Sequence, residues 1–133
     1  MSVDKISSPV DIAVSGLRAE SLRMKVIANN IANSQTTRTE QGQPYRRQEV
    51  VLSTSGSDLS GVRIEEVLSD PSDFKKVYRP GPDADADGYV RMPNVDLPNE
   101  IARMVMASRA YQANAAVLKR YQEAANQALE LLK

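Results

Sequence analysis

Three aspartates spaced two residues apart are the part of this sequence whose residue types and spacing could bind a metal ion. Asp83, Asp85 and Asp87 are followed by Gly88, which matches the opening of an EF-hand calcium loop, where oxygen ligands alternate along the chain. The twelfth position of such a loop is a glutamate that binds with both oxygens, but here it is Asn94. Two prolines upstream also exclude an entering helix. The pattern therefore favours an acidic turn before a strand, with a calcium-responsive binding module as the alternative.

Cysteine and histidine are absent from all 133 residues. Their absence excludes thiolate nucleophiles, zinc sites built on cysteine or histidine, and Ser-His-Asp triads. The formal net charge is zero, which argues against nucleic acid as a partner, because that polyanion requires a basic surface. We therefore expect a protein that is not an enzyme and that uses no cofactor, no metal and no small-molecule substrate.

The charges are distributed unevenly along the chain. Residues 61–100 carry 5 basic and 9 acidic side chains, whereas residues 101–133 carry 5 basic and 2 acidic ones. Such segments are either solvated faces or surfaces that set the register between subunits.

Two long helices are predicted to position the rest of the chain. The first runs from Pro9 to about Asn33, with Ser8 as its N-cap and Asp11 near the positive end of the helix dipole. Its asparagine-rich end suits a residue in the left-handed conformation. The second runs from Leu97 to Leu132 after the N-cap Asp96. At 1.5 Å per residue it measures about 54 Å, longer than the roughly 35–40 Å diameter of a compact domain of this size.

Both helices carry apolar or small residues in alternating steps of three and four, the spacing of a coiled-coil seam. The seam of the first helix is Val14, Leu17, Ser21, Met24, Ala28 and Ile31. The seam of the second is Ile101, Met104, Ser108, Tyr111, Ala115, Leu118, Gln122, Ala125, Leu129 and Leu132. Small residues alternate with large ones in both, which favours close packing of helices. We predict that the larger seam residues form the helix core and the subunit interface: Val14, Leu17, Met24, Ile31, Ile101, Met104, Tyr111, Leu118, Leu129 and Leu132.

The segment between the helices has the two-residue period of strands. Candidate strands are Tyr45–Ser53, Val62–Leu68, Phe74–Tyr78 and Tyr89–Met92. Their predicted core is Tyr45, Val50, Leu52, Val62, Ile64, Phe74, Val77 and Tyr78. The predicted fold is mainly α with a small β insertion. It comprises an N-terminal core helix (1–34), an extended loop (35–44), a β-rich outer domain (45–95) and a C-terminal core helix (96–133), with the two helices paired as in a coiled coil.

Several separated motifs resemble those of the bacterial flagellar rod and hook proteins. Residues 28–33 read Ala-Asn-Asn-Ile-Ala-Asn at the end of the first helix, and residues 108–114 read Ser-Arg-Ala-Tyr-Gln-Ala-Asn in the second. Residues 42–48 and 88–96 are similar to the proximal rod members. The resemblance covers nearly the whole chain, and the four residues between Thr37 and Gly42 suit the proximal subfamily. It marks as family-motif residues Asn29, Asn30, Asn33, Gln112 and Asn114.

The resemblance implies a structural subunit of the basal-body rod that crosses the periplasm and transmits torque. It implies assembly with copies of the chain, other rod proteins, and basal-body adaptor and ring proteins, after export by the flagellar type III apparatus. Residues 1–8 contain no apolar stretch or cleavage site, so we predict no cleaved signal peptide. A helical adaptor that works as a closed dimer is a further alternative. Because the seams need partners, we expect both helices to be marginal in the isolated monomer.

Overall fold

The computed structural model describes residues 8–56 and 60–133. The elements follow the order α1 (Pro9–Ala32), β1 (Gln48–Thr54), β2 (Val62–Ser69), β3 (Lys75–Tyr78), β4 (Tyr89–Met92) and α2 (Leu97–Leu131). This order confirms two long terminal helices with a small β region between them. Residues 1–7 of the predicted N-terminal segment and residues 57–59 lie outside the described ranges.

Local signals fix both ends of α1. The Ser8 hydroxyl accepts a hydrogen bond from the Asp11 backbone amide, and the Asp11 carboxylate accepts one from the Ser8 amide, which completes a capping box. At the other end Asn33 has φ −100°, so the predicted left-handed closure is wrong. The helix ends instead through the Asn33 side chain, whose amide donates to the Asn29 carbonyl at 2.9 Å.

Helix α2 has 35 residues, which corresponds to about 52 Å. The Asp96 side chain caps it by accepting a hydrogen bond from the Asn99 amide at 3.4 Å. The helix ends at Leu131, one residue before the predicted end.

The two helices pack antiparallel. Asn30, near the end of α1, donates a hydrogen bond to Glu100 in the first turn of α2. Gly16, near the start of α1, faces Asn114, and a Cβ at Gly16 would lie 2.7 Å from the Asn114 side chain. The close approach at this crossing therefore depends on the absence of a side chain at residue 16.

The four strands form two separate antiparallel ribbons. Strand β1 pairs with β2, and the register skips Glu65, which has no cross-strand partner. Strand β3 pairs with β4. The ribbon β1–β2 packs on α1, whereas neither of its strands contacts β3 or β4. The predicted β-rich segment is therefore two small ribbons rather than one sheet.

The first strand begins three residues later than predicted, and the strand core differs from the predicted one. Tyr45 and Arg47 direct their backbone amides to Thr36 and Asn94 rather than to a neighbouring strand. The assignment of Ile64, Val77 and Tyr78 to the core is wrong, because their exposures are 37%, 45% and 64%. The buried apolar residues of the described chain are Ala13, Ala19, Val26, Ile27, Val50, Val90, Met92, Val95 and Ala107.

Candidate subunit interface

Asn30 is the centre of a buried polar network where α1, β1 and α2 meet. Its side chain is inaccessible to solvent and makes four hydrogen bonds. The amide nitrogen donates to the Gln48 carbonyl at 2.8 Å and to Glu100 Oε2 at 3.1 Å. The amide oxygen accepts from the Tyr45 hydroxyl and from the Gln48 backbone amide, both at 2.9 Å. All the hydrogen-bonding capacity of this buried amide is used, so the network specifies one geometry.

Glu100 extends the network to a buried ion pair. Its carboxylate is 1% exposed, and Oε1 accepts a hydrogen bond from Arg47 Nε at 2.5 Å. The Arg47 guanidinium also contacts Asp70 Oδ2 at 3.2 Å and Glu49 Oε2 at 3.3 Å. Removing one member of such a cluster leaves an uncompensated buried charge, which costs about 3–5 kcal/mol. The first turn of α2 is therefore tied to the residue just before β1 and, through it, to the residue just after β2.

The loop before α2 joins the same cluster through Asn94. Its side-chain oxygen accepts from the Arg47 backbone amide at 2.7 Å, and its amide donates to the carbonyls of Asp70 and Ser72 at 3.1 and 3.2 Å. Beside it, the Arg46 guanidinium donates to the same two carbonyls and stacks over the Phe74 ring at 4.3 Å. These contacts link the two ribbons through the chain segments between them.

The electrostatics follow from burial and from these partners. Burial, together with the nearby Glu100 carboxylate, raises the pKa of the Tyr45 hydroxyl. Burial lowers the pKa of the Arg47 guanidinium, but hydrogen bonds and charge attraction from Glu100 and Glu49 outweigh it, and the net pKa is raised. Hydrogen bonds from Ser72, with the Arg47 charge, lower the pKa of Asp70. These shifts favour the charged forms of Arg47 and Asp70 and the neutral hydroxyl of Tyr45.

The other family-motif residues have local roles. Asn29 donates a 3.4 Å hydrogen bond to the Tyr45 hydroxyl, and the Asn33 side-chain oxygen accepts one from the Thr36 hydroxyl at 3.1 Å. Asn114 donates to the Ala110 carbonyl at 3.0 Å, while Gln112 is exposed. Sequence reasoning singled out Asn30 but missed Arg47, Asn94 and Glu100. One available signal was the spacing of Glu100, Met104, Ala107, Asn114 and Leu118, which places a carboxylate on a stripe of buried and half-buried residues.

The predicted seams are not the faces that the two helices present to each other. The α1 residues with direct contacts to α2 are Gly16 and Asn30, which lie one position before the seam residues Leu17 and Ile31. One residue corresponds to a rotation of about 100°. The seam residues that are half-buried in one chain are Val14, Leu17, Met24, Ile31, Met104 and Leu118. Those that are exposed are Ile101 (51%), Tyr111 (38%), Leu129 (62%) and Leu132 (83%). Their assignment to a subunit interface stays a prediction.

The seams of both helices lie on the same side of the helix pair. On one side, α1, α2 and β1 enclose a groove of about 500 Å³ lined by residues such as Val26, Val50 and Ala107. On the other side, Tyr111 of α2 and the α1 residues Leu17 and Ser21 line one shallow depression. The seams therefore adjoin along the side that β1–β2 leaves open. A third helix could pack there against both.

The acidic turn does not assemble a metal site. Asp85 Oδ1 accepts backbone hydrogen bonds from Asp87 at 3.0 Å and from Tyr89 at 2.9 Å, so this carboxylate closes the turn. No group of three or more metal-binding side chains occurs in residues 8–56 and 60–133. The calcium alternative thus has no support in the described chain. Within the same ranges, neither helix has the length and apolar character needed to cross a membrane.

Comparison with known proteins gives two family matches and several full-length relatives. The model described as flagella basal body rod protein matches residues 11–38, and the flagellar basal body rod FlgEFG protein C-terminal model matches residues 86–131. The flagellar basal-body rod protein FlgC of Yersinia enterocolitica is 46% identical over 112 residues, covering 81% of this chain and 84% of the relative. The FlgC proteins of Bacillus subtilis and Agrobacterium fabrum are 36% and 37% identical over 144 and 136 residues. Those alignments cover 93% and 98% of this chain, and 96% and 98% of the two relatives. The chain belongs to the FlgC family of flagellar basal-body rod proteins.

The two matched regions of this FlgC-family chain meet in the polar network. Asn30 lies in the first matched region, and Asn94 and Glu100 lie in the second. Arg47 and Asp70 come from the segment between the two regions and bridge them. The network therefore joins the terminal helices to the ribbons at one end of the helix pair, and it leaves the open side free.

Proposed function

We propose that this chain is a structural subunit of the proximal rod that polymerises through its terminal helices. The observation that best supports this function is the open side of the helix pair, where Tyr111 lines one depression with Leu17 and Ser21. A helix from a neighbouring subunit that packs into this depression would meet both seams at once. Such packing would produce the coiled-coil-like core that the sequence analysis assigned to the two helices.

Exposed apolar residues along α2 support the proposal. Residues 119–133 are all exposed in one chain, including Tyr121 (46%), Leu131 (87%) and Leu132 (83%). Burying a side chain of this kind stabilises a contact by about 1.5–3 kcal/mol. Repeated contacts between different surfaces extend as a helical filament when the rotation between copies does not close a ring, and a rod is such a filament. The distal half of α2 thus supplies surface for neighbouring subunits.

The finer parts of the proposal concern partners and location. The neighbours are copies of this chain and other rod proteins, with basal-body adaptor and ring proteins at the ends of the rod. The rod crosses the periplasm and transmits torque, and the flagellar type III apparatus exports the subunit without a cleaved signal peptide. The relatives carry the name of basal-body rod proteins, which supports the assembly but does not identify these neighbours.

Replacing Tyr111 with Ala tests the proposal. The ring is partly covered by its own chain, so the change removes the part that a neighbouring helix would bury. Aromatic-to-Ala changes cost about 3–5 kcal/mol when the ring is fully buried. Repeated at every subunit, the loss is expected to abolish motility of cells that lack the wild-type protein, while secreted subunit remains detectable.

Asp83→Ala is the matched control, because Asp83 lies in an exposed turn away from the helices. Its cells are expected to swim normally. Normal swimming by Tyr111→Ala cells, or loss of motility in Asp83→Ala cells alone, would contradict a working surface on the helical seams. Circular dichroism of both purified variants checks that each keeps the helical content of the wild type.

A further inference from the structure

The outward face of the ribbon β3–β4 combines two cations with two tyrosines. Lys76 pairs with Arg91 across the ribbon, and Tyr78 pairs with Tyr89. All four side chains are exposed, whereas Val90 and Met92 on the other face of β4 are buried. The tyrosine rings meet edge to face with centroids 5.4 Å apart. We call these four residues the basic face.

The two cations of the basic face have no anionic partner among the described residues. Neither Lys76 nor Arg91 forms an ion pair in residues 8–56 and 60–133. Asp83 and Asp85 line the same depression. The Asp85 carboxylate, however, is engaged by the backbone of its own turn. Arg91 instead lies over the Phe74 ring at 4.9 Å.

Strand β2 presents the opposite chemistry. Glu65 and Glu66 are exposed and form no ion pair within the described chain, and the next two residues, Val67 and Leu68, are 42% and 45% exposed. One edge of β2 pairs with β1, and the other edge has no strand partner in the described ranges. An edge strand with exposed apolar residues is a site for pairing with another chain. We call residues 65–68 the acidic edge.

The basic face and the acidic edge cannot satisfy each other within one chain. They belong to separate ribbons that do not contact each other. Two complementary surfaces at different places on one molecule make a head-to-tail contact between copies, and such contacts build a helical filament when the rotation between copies does not close a ring. Opposite charges flanking apolar residues also give the contact a defined register.

We propose that the basic face of one copy binds the acidic edge of a second copy in the assembled rod. Lys76 and Arg91 would pair with Glu65 and Glu66, while the tyrosines cover Leu68, which lies on the same face of β2 as Glu66. This contact rests on the proposed function and adds a lateral contact between ribbons to the helix packing. The occupant is a second copy because the chain itself carries both complementary surfaces.

Charge reversal in cells that lack the wild-type protein tests the contact. One variant carries Glu65→Lys and Glu66→Lys, and the other carries Lys76→Glu and Arg91→Glu. Each alone opposes like charges at every contact, so loss of spreading in soft agar is expected. Co-expression of the two variants provides opposite charges at every mixed contact, so spreading is expected to return. A chain with all four changes is likewise expected to restore spreading.

Two outcomes would overturn the proposal. Normal spreading by both reversal variants would mean that the surfaces are not in contact. Failure of both co-expression and the fourfold variant to restore spreading would assign the surfaces to a protein other than a second copy. The neutral variant with Lys76→Gln and Arg91→Gln is the folding control, and it is expected to be secreted at the level of the wild type. Tyr111→Ala tests the helix packing separately, because it leaves both ribbons unchanged.

Discussion

Replacing Asn30 with Asp changes one heavy atom of the buried polar network and keeps the shape of the side chain. In the native chain the Asn30 nitrogen donates to the Gln48 carbonyl at 2.8 Å and to the Glu100 carboxylate at 3.1 Å. The substitution Asn30→Asp replaces this nitrogen with an oxygen. Both hydrogen bonds are then lost, because the new oxygen faces two other acceptors, the Gln48 carbonyl and the Glu100 carboxylate. The new carboxylate would also lie beside the buried charge of Glu100.

The cost follows from these two hydrogen bonds. A neutral hydrogen bond contributes about 1 kcal/mol and one to a charged group about 1.5–3 kcal/mol. Repulsion between two buried carboxylates adds to the loss. We expect the free energy of unfolding to fall by about 3–5 kcal/mol, which is a large part of the total of about 5–15 kcal/mol for an ordinary domain.

Asn29→Asp is the matched control, because it makes the same chemical change one residue away on an exposed position. Its side chain donates one hydrogen bond, of 3.4 Å, to the Tyr45 hydroxyl, and it accepts one from the Asn33 side-chain amide at 3.1 Å, which an aspartate can still accept. A negative charge in the last turn of a helix costs about 0.3–1 kcal/mol. The expected loss of stability for this control is therefore about 1 kcal/mol or less.

Urea denaturation followed by circular dichroism, at neutral pH and at about pH 4.5, measures the free energy of unfolding of both variants. The new carboxyl of Asn30→Asp has a raised pKa in the folded state, so the folded protein binds more protons than the unfolded one. Its stability relative to wild type is thus lowest at neutral pH and improves as the pH falls toward the unfolded value near about 4. Equal losses for the two variants, or a deficit that does not change with pH, would refute the network as described.

Two further predictions follow from burial and from the pKa of Asp70. Backbone amides of residues 119–131 are expected to exchange hydrogen faster in the monomer than those of residues 100–118, since only residues 100–118 pack on α1. Hydrogen exchange measured by mass spectrometry tests this, and equal protection of the two segments would contradict it. Because the pKa of Asp70 is lowered in the fold, its stabilising contribution is present above its ordinary value of 3.8 and is lost as the pH falls below it. The melting temperature of wild type should therefore drop more steeply in acid than that of Asp70→Asn, and parallel pH profiles would show that Asp70 contributes nothing.

The helix boundaries could be predicted because local residues determine them. Ser8 and Asp11 form the capping box, and Asp96 caps α2, and each acts on backbone amides within three residues. The left-handed closure failed at Asn33 because its side chain satisfies a carbonyl of the last turn and the backbone has no need of that conformation. Local chemistry thus predicted where the helices lie but not how α1 ends.

The rotation of α1 could not be predicted from its heptad pattern. The helix buries two adjoining faces, one against α2 and one against the ribbon β1–β2. Gly16 and Asn30 contact residues of α2, while the Ser15 hydroxyl accepts a hydrogen bond from the Val62 amide of β2 at 3.1 Å. A heptad pattern assumes a single packing partner, so it merges these two buried faces into one stripe. The predicted seam therefore fell one residue away from the face that packs within the chain.

The polar network was invisible in the sequence because its members are far apart and belong to residue types that are mostly exposed. Arg47 and Glu100 are separated by 53 residues, yet they are 7% and 1% exposed. Buried charges of this kind occur only when partners satisfy them, and the partners depend on the tertiary fold. The asparagines at the end of α1 and the position of Glu100 on the buried stripe of α2 were the signs that polar groups gather there.

The polar network and the small residues of the helix pair together fix how α1 and α2 are placed along the open side. Gly16 and the buried Ala107 allow α1 and α2 to approach closely, but small residues alone would let the helices slide past each other. Asn30, fully hydrogen-bonded to β1 and α2, prevents sliding at one end. The spacing between the two seams is then fixed before assembly, at least where α1 covers α2. A neighbouring helix would meet a preformed depression, and the entropy cost of ordering it would be smaller than for two independent helices.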